Sequence, residues 1–226
     1  MLLVNSIRTI ANGLKPLDEK FVFVGGSVVE CYVTSSVAEQ ARPTDDIDVV
    51  SELAHYGEYA TLQEKLLAAG FNPDHESKVI CRYKYKGIIV DIMPDNAGII
   101  GFTNRWYKEG IKNAVLYRID ESLEIRIFSS PFYVASKIQA YLQRGARDKR
   151  LSTDFEDIIY VVENRKELIE EVNSSHDPVK EFLVAFFTNL LNEKNTEEAI
   201  SAVIGYSPLP GRIAYVKNTL IKLSKL

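Results

Sequence analysis

Three carboxylates stand where simple chemistry would not put them without a purpose. Asp46-Ile47-Asp48 enters an apolar run, and alternate residues of a strand point to the same face. Two carboxylates held side by side repel one another unless a cation lies between them. Asp91 sits inside a second apolar run, Ile88-Ile89-Val90-Asp91-Ile92, where an acid is costly to bury without a partner. Three such acids on neighbouring strands form an oxygen-rich site suited to Mg²⁺, which binds a few carboxylates and keeps waters and substrate phosphates. Mn²⁺ suits the same donors. The simpler expectation is that Asp45 and Asp46 close a turn while Asp91 pairs with Arg82 or Lys84.

Upstream, Gly25-Gly26-Ser27 ends the apolar run Phe21-Val22-Phe23-Val24. Glycines let a backbone approach a phosphate closely, and Ser27 adds a hydroxyl. The next residues, Val28 to Ser36, read as a helix, which would put the turn at a helix N-terminus where anions bind. Neither a P-loop nor GxGxxG is present.

Taken together, Gly25-Gly26-Ser27, Arg42-x-Thr44-x-Asp46-Ile47-Asp48 and Val90-Asp91 resemble the DNA polymerase β-like nucleotidyltransferase superfamily. The Arg-x-Thr-x-Asp-Ile-Asp form is similar to the AbiEii-like branch, which includes type IV toxin–antitoxin toxins and MenT-like tRNA-modifying enzymes. The resemblance implies that Gly25, Gly26 and Ser27 hold the nucleotide, with Arg42 and Thr44 beside them. It implies that Asp46 and Asp48 bind metal and that Asp91 completes the site or acts as base. It extends to Lys137 and Arg144 on one helix and to Asp154-Phe155-Glu156-Asp157-Ile158. Lys137 would contact nucleotide phosphates, and Asp157 would support or orient Lys137 or the nucleotide site. On the plainer view, Lys137 and Asp157 bridge two helices at the surface, where alanine at 137 costs little. The family often carries Lys-Asp directly before its final helix; this chain has Lys149-Arg150-Leu151-Ser152-Thr153-Asp154 there.

The elements that position these residues can be read from periodicity. Ile7, Ile10 and Leu14 mark an amphipathic first helix, and Tyr59, Leu62, Leu66 and Leu67 a second that stops at Gly70. Two hairpins are expected, one about Lys86-Gly87 and one about Asp120-Glu121-Ser122. From Ser130 the pattern turns helical, with Ser130-Pro131 as cap and first turn, a stripe of Phe132, Ala135, Ile138 and Leu142, and a capping box at Thr153–Glu156. Further helices are expected over Arg165–Val172, Pro178–Leu191, Thr196–Ile204 and Gly211–Leu223, with Pro208 and Pro210 in the last break. The fold class is therefore α+β: a mixed sheet with flanking helices over residues 1–129, which the resemblance implies is a nucleotidyltransferase core, and a helical C-terminal region over 130–226.

Composition closes off other classes. The 226 residues are 46% hydrophobic and 26% charged, which is ordinary for a globular chain. A net charge of −4 excludes a uniformly basic nucleic-acid coat, though not a local patch. Cys31 and Cys81 alone make no disulfide framework, and the three histidines lack metal-binding spacing. With no long apolar run, a cytoplasmic protein without a membrane span is expected.

The expected activity is Mg²⁺-dependent transfer of a nucleoside monophosphate from a nucleoside triphosphate (NTP) to an acceptor. The resemblance suggests RNA, the tRNA 3′ end, as acceptor and a cognate antitoxin as partner. Arg82, Lys84 and Lys86, with Arg144, Arg147, Lys149 and Arg150, could grip an RNA backbone. Tyr83, Tyr85, Trp106 and Tyr107 could stack on bases, although aromatics in such segments more often fill cores. The alternatives are a small-molecule, antibiotic-type nucleotidyltransferase and a non-catalytic nucleotide-binding regulatory module.

Overall fold

The structure, a computed structural model, describes residues 2–53, 55–144, 148–205 and 210–226. Chain contacts divide it into two compact units. The first comprises Met1–Val28 and Arg42–Ser129, and the second Val29–Ala41 and Ser130–Leu226.

The first unit is built on one seven-stranded mixed sheet. In chain order it contains α1 (Leu2–Leu14), β1 (Phe21–Val24), β2 (Asp46–Ser51), α2 (Tyr56–Ala68), β3 (Asn72–Pro73), β4 (Arg82–Tyr85), β5 (Ile88–Pro94), α3 (Ala97–Ile100), α4 (Tyr107–Lys112), β6 (Ala114–Asp120) and β7 (Leu123–Phe128). The strands lie in the order β3-β4-β5-β2-β1-β7-β6. β2 pairs in parallel with β5, and β1 with β7, while the other neighbours run antiparallel. The apolar stripes do what their spacing requires. Ile7, Ile10 and Leu14 are buried, as are Tyr59, Leu62 and Leu66, but Leu67 falls on the open side of α2. Every residue of β1 is buried, as a short continuous apolar run in mid-sheet should be.

The turn between β4 and β5 has two residues, Lys86 at φ 48° and Gly87 at φ 80°. Positive φ at both central positions is the type I′ geometry that matches the twist of a hairpin. A two-residue turn leaves no freedom of register, so Tyr85 pairs with Ile88 and Arg82 with Asp91.

The second unit packs α5 (Ser130–Arg144), α6 (Thr153–Asn164), α7 (Leu168–Asn173), α8 (Asp177–Asn192), α9 (Thr196–Ile204) and α10 (Arg212–Leu223) around Ala135, Ile138, Phe155, Ile158, Phe187 and Leu220, all buried. Two local expectations change. The cap of α6 is Ser152, whose hydroxyl accepts from the Phe155 amide at 3.2 Å, so the capping residue lies one position before Thr153. Ser130 is already helical and donates to Glu171 at 2.6 Å, while Leu142 is exposed at the far end of its stripe. The segment Val29–Ala41 is held at the C-terminal end of α6. The amides of Thr34 and Ser35 both donate to the Asn164 carbonyl, at 2.9 and 3.0 Å. That carbonyl belongs to the last turn of a helix, where acceptors lack intrahelical partners. Pro208 and Arg147 lie outside the described residues.

Candidate active site

Pairing register assembles the three acids. Asp48 on β2 pairs with Asp91 on β5, and Asp91 in turn pairs with Arg82 on β4. Directly opposed residues share a face, so Arg82, Asp91 and Asp48 form one row across three strands. Asp46 stands two residues along β2 and returns to that face. Ile47 and Val49, which alternate with them, point to the buried side, while Asp46 and Asp48 remain half-exposed. Asp45 is exposed in the approach to the strand.

Beyond Asp48 the row meets β1 at Val24, and there the chain turns through Gly25. Gly25 has φ +71°, and a Cβ built on it would sit 1.9 Å from Asp48 Oδ2. Only glycine permits that approach of carboxylate to backbone. The chain then enters a seven-residue 3-10 helix, Gly26–Tyr32, in place of the expected α-helix. Val28 and Val29 are buried within it, and β-branched residues crowd a helical turn. Ser27 is buried, and its hydroxyl donates back to the Val24 carbonyl at 3.2 Å. Its proton therefore serves the turn, which leaves the turn backbone as the part able to meet a phosphate.

The cation that two adjacent carboxylates demand is supplied by Arg82. Its Nε donates to Asp91 Oδ1 at 2.7 Å, and its Nη2 donates to Asp91 Oδ2 and Asp46 Oδ2, both at 2.8 Å. The hydrogen bond to Asp91, with the nearby charges of Asp46 and Asp48, drives the guanidinium pKa above its already high value. Thr44 Oγ1 donates to Asp46 Oδ1 at 3.2 Å, while Arg42 Nη1 donates to the Pro43 carbonyl at 3.2 Å. Cys81, buried beside this row, has its thiol pushed up to about 12, by burial first and then by Asp91 and Asp48.

Among the described residues no three carboxylate, thiol or imidazole groups stand in a ready metal-ligating arrangement. The donor set still fits a hard divalent cation. It offers carboxylate oxygens from Asp46, Asp48 and Asp91 on one face, with a glycine that lets Asp48 lie against the turn. Arg82 is the feature that stands among them.

Lys137 and Asp157 belong to a second charged cluster, within the helical unit. Lys137 Nζ lies 2.6 Å from Asp157 Oδ2 and 3.4 Å from Asp154 Oδ1, and Arg144 Nη1 lies 2.7 Å from Asp154 Oδ2. The expected surface bridge is instead buried: the side chains of Lys137, Asp154 and Asp157 are 8%, 4% and 1% exposed. Phe155 and Ile158 flank the acids on α6, which carries them inward with the core. Asp154 is the member that motif reading did not assign, although its spacing of three from Asp157 puts both on one helix face.

The residues offered for RNA are largely engaged. Lys84 pairs with Asp74 at 3.0 Å and Glu76 at 3.4 Å. Arg150 pairs with Asp148 and Glu198, both at 2.6 Å, and Lys149 with Glu193. Lys86 lies over the Tyr85 ring. Tyr83 and Trp106 are core residues, Tyr85 stacks on Phe71 with centroids 4.1 Å apart, and Tyr107 leans on Phe128. Among the described residues no helix is long and apolar enough to cross a membrane.

No family model matches the sequence, and no curated protein matches it. Solved structures do. A crystal structure of an antigenic nucleotidyltransferase-like protein from Paracoccidioides brasiliensis is similar over 88% of this chain and 92% of its own, with 16% identity and a TM-score of 0.52. The solution structure of the antibiotic-resistance factor ANT(2'')-Ia gives 13% identity and a TM-score of 0.49 over 83% and 92% of the two chains. The crystal structure of JHP933 from Helicobacter pylori gives 13% and 0.47 over 98% and 87%. The first of these likenesses supports one statement: the α+β architecture, a mixed sheet followed by helices, is that of a nucleotidyltransferase-like fold.

Proposed function

We propose that the chain is a divalent-metal-dependent nucleotidyltransferase that moves a nucleoside monophosphate from an NTP to a hydroxyl acceptor. The observation that carries this reading is the row of Asp48 and Asp91 in adjacent parallel strands, with Asp46 on the same face and Gly25 pressed against Asp48. A purely structural ion pair would need one acid for Arg82; two in-strand acids more is a surplus that costs stability.

Mg²⁺ or Mn²⁺ held by Asp46, Asp48 and Asp91 would supply charge neutralisation at the phosphates and acidify the attacking hydroxyl. The chain's own residues do the rest. The Gly25–Gly26–Ser27 backbone receives the triphosphate, with Arg42 and Thr44 at the edge. Asp91 accepts the acceptor's hydroxyl proton. The acceptor oxygen forms a bond to the α-phosphorus, the bond from that phosphorus to the bridging oxygen breaks, and pyrophosphate leaves. Such transfer depends chiefly on positioning and on compensation of charge.

By resemblance to the AbiEii-like branch, the acceptor is RNA, a tRNA 3′ end, and the protein acts as a toxin restrained by an antitoxin partner. A second reading, a small hydroxylated or amino acceptor, draws on the observation that Lys84, Lys149 and Arg150 already pair with acids. Such pairs near the surface are weak. Incubation with each α-labelled triphosphate, Mg²⁺ and total cellular RNA tests both. Label in RNA supports the first reading, and label only in added small compounds the second. Absence of pyrophosphate release with every triphosphate and acceptor would leave a nucleotide-binding module.

A further inference from the structure

Arg82 does more than neutralise. Among the acids, Asp46 and Asp91 together have four carboxylate oxygens, and all four already accept hydrogen bonds. Both Asp91 oxygens take Arg82, Asp46 Oδ2 takes Arg82 Nη2, and Asp46 Oδ1 takes Thr44. A Mg²⁺ or Mn²⁺ ion needs carboxylate oxygens at about 2 Å. It could reach these only beside a guanidinium that never loses its charge, and like charges at that range repel. The fork of Arg82 is fixed at its root by the pairing of β4 with β5, so only its side chain can yield.

From this geometry, and resting on the metal-dependent reading above, we infer that Arg82 is a resident counter-ion that a divalent cation must displace from Asp46 and Asp91 before the site is loaded. Arg82 then holds the acids together when the metal is away and sets how tightly the metal binds. The bidentate contact with Asp91 gives the arginine two bonds to break there and one at Asp46. Displacement is thus easier at Asp46.

The test is a Mn²⁺ titration without nucleotide, following the free-ion signal by electron paramagnetic resonance. Wild type, Arg82→Gln, Arg82→Lys and Asp46→Asn are compared. Arg82→Gln is expected to bind Mn²⁺ roughly tenfold or more tightly than wild type, since charge-assisted bonds no longer compete. Arg82→Lys should fall between them, and Asp46→Asn should lose the site. Melting in EDTA and in Mn²⁺ gives a second readout: Arg82→Gln should melt lower in EDTA and gain more from Mn²⁺. Unchanged or weaker Mn²⁺ binding by Arg82→Gln overturns the inference. If Arg82→Gln fails to fold even in Mn²⁺, wild-type affinity in Arg82→Lys overturns it as well. Tightened binding in a protein that transfers no nucleotide would sink the nucleotidyltransferase reading alone; transfer with unaltered Mn²⁺ affinity would sink this inference alone.

Discussion

Asp157 keeps 1% of its side chain in contact with solvent and Asp46 keeps 30%, although each has a cationic nitrogen within 3 Å. The two clusters are made from the same ingredients. In the helical unit, Lys137 lies with Asp154 and Asp157 among core side chains, and the exposed Arg144 reaches in to Asp154, so two bases meet two acids. In the sheet unit, Arg82 bridges Asp46 and Asp91 in a row that also holds Asp48 and stays partly open. A matched, buried cluster reads as architecture, because opening it leaves a charge stranded. A half-open row of three acids reads as a place where something else binds.

The largest effects should come from the sheet acids. Asp46→Asn and Asp48→Asn should each lower nucleotide transfer by about a hundredfold or more, with melting close to wild type, as measured by label transfer and calorimetry. Asp91→Asn should match them. Near-wild-type activity in all three variants would erase the distinction between the clusters.

Lys137 should behave in the opposite manner. Lys137→Met leaves Asp154 and Asp157 buried with less compensation and should cost about 3–5 kcal/mol in denaturant unfolding. The double change Lys137→Met with Asp157→Leu should recover part of that loss, since neither partner then remains charged. Wild-type stability in Lys137→Met, with reduced NTP affinity, would return Lys137 to the site.

Gly25→Ala sharpens the geometry of the sheet row. Its positive φ costs roughly 1–2 kcal/mol for a residue bearing a Cβ. The new methyl group must also drive Asp48 aside. Transfer should drop about tenfold or more, beyond what the stability change explains. The smallest effect belongs to Asp45→Asn, exposed before the strand, with a change within about 0.5 kcal/mol and near-normal activity.

Much of this frame is legible in residue patterns, and the omissions have physical causes. The α+β class is evident in alternating apolar runs up to Phe128 and helical stripes after Ser130. The row itself can almost be read: Lys86-Gly87 is a two-residue turn, and counting back from it sets Arg82 opposite Asp91. Periodicity is silent, however, on which of two possible partners an acid takes, and both Arg82 and Lys84 stand on that strand. The depth of Lys137 was hidden for another reason. A lysine's sequence neighbours do not reveal that α6 presents two acids to it, so the surface was the natural expectation. The same holds for Gly26–Tyr32, where helical composition yields a tighter 3-10 turn because the valines are drawn into the core.

The most direct trial of the carboxylate row as a transfer centre is a side-by-side labelling assay. Wild type, Asp45→Asn, Asp46→Asn, Asp48→Asn and Asp91→Asn would each be given α-labelled triphosphates, Mg²⁺ and total RNA, and pyrophosphate release recorded. Transfer by wild type and Asp45→Asn, with severe loss in the other three, is the predicted result; equal, small effects at all four positions would contradict it.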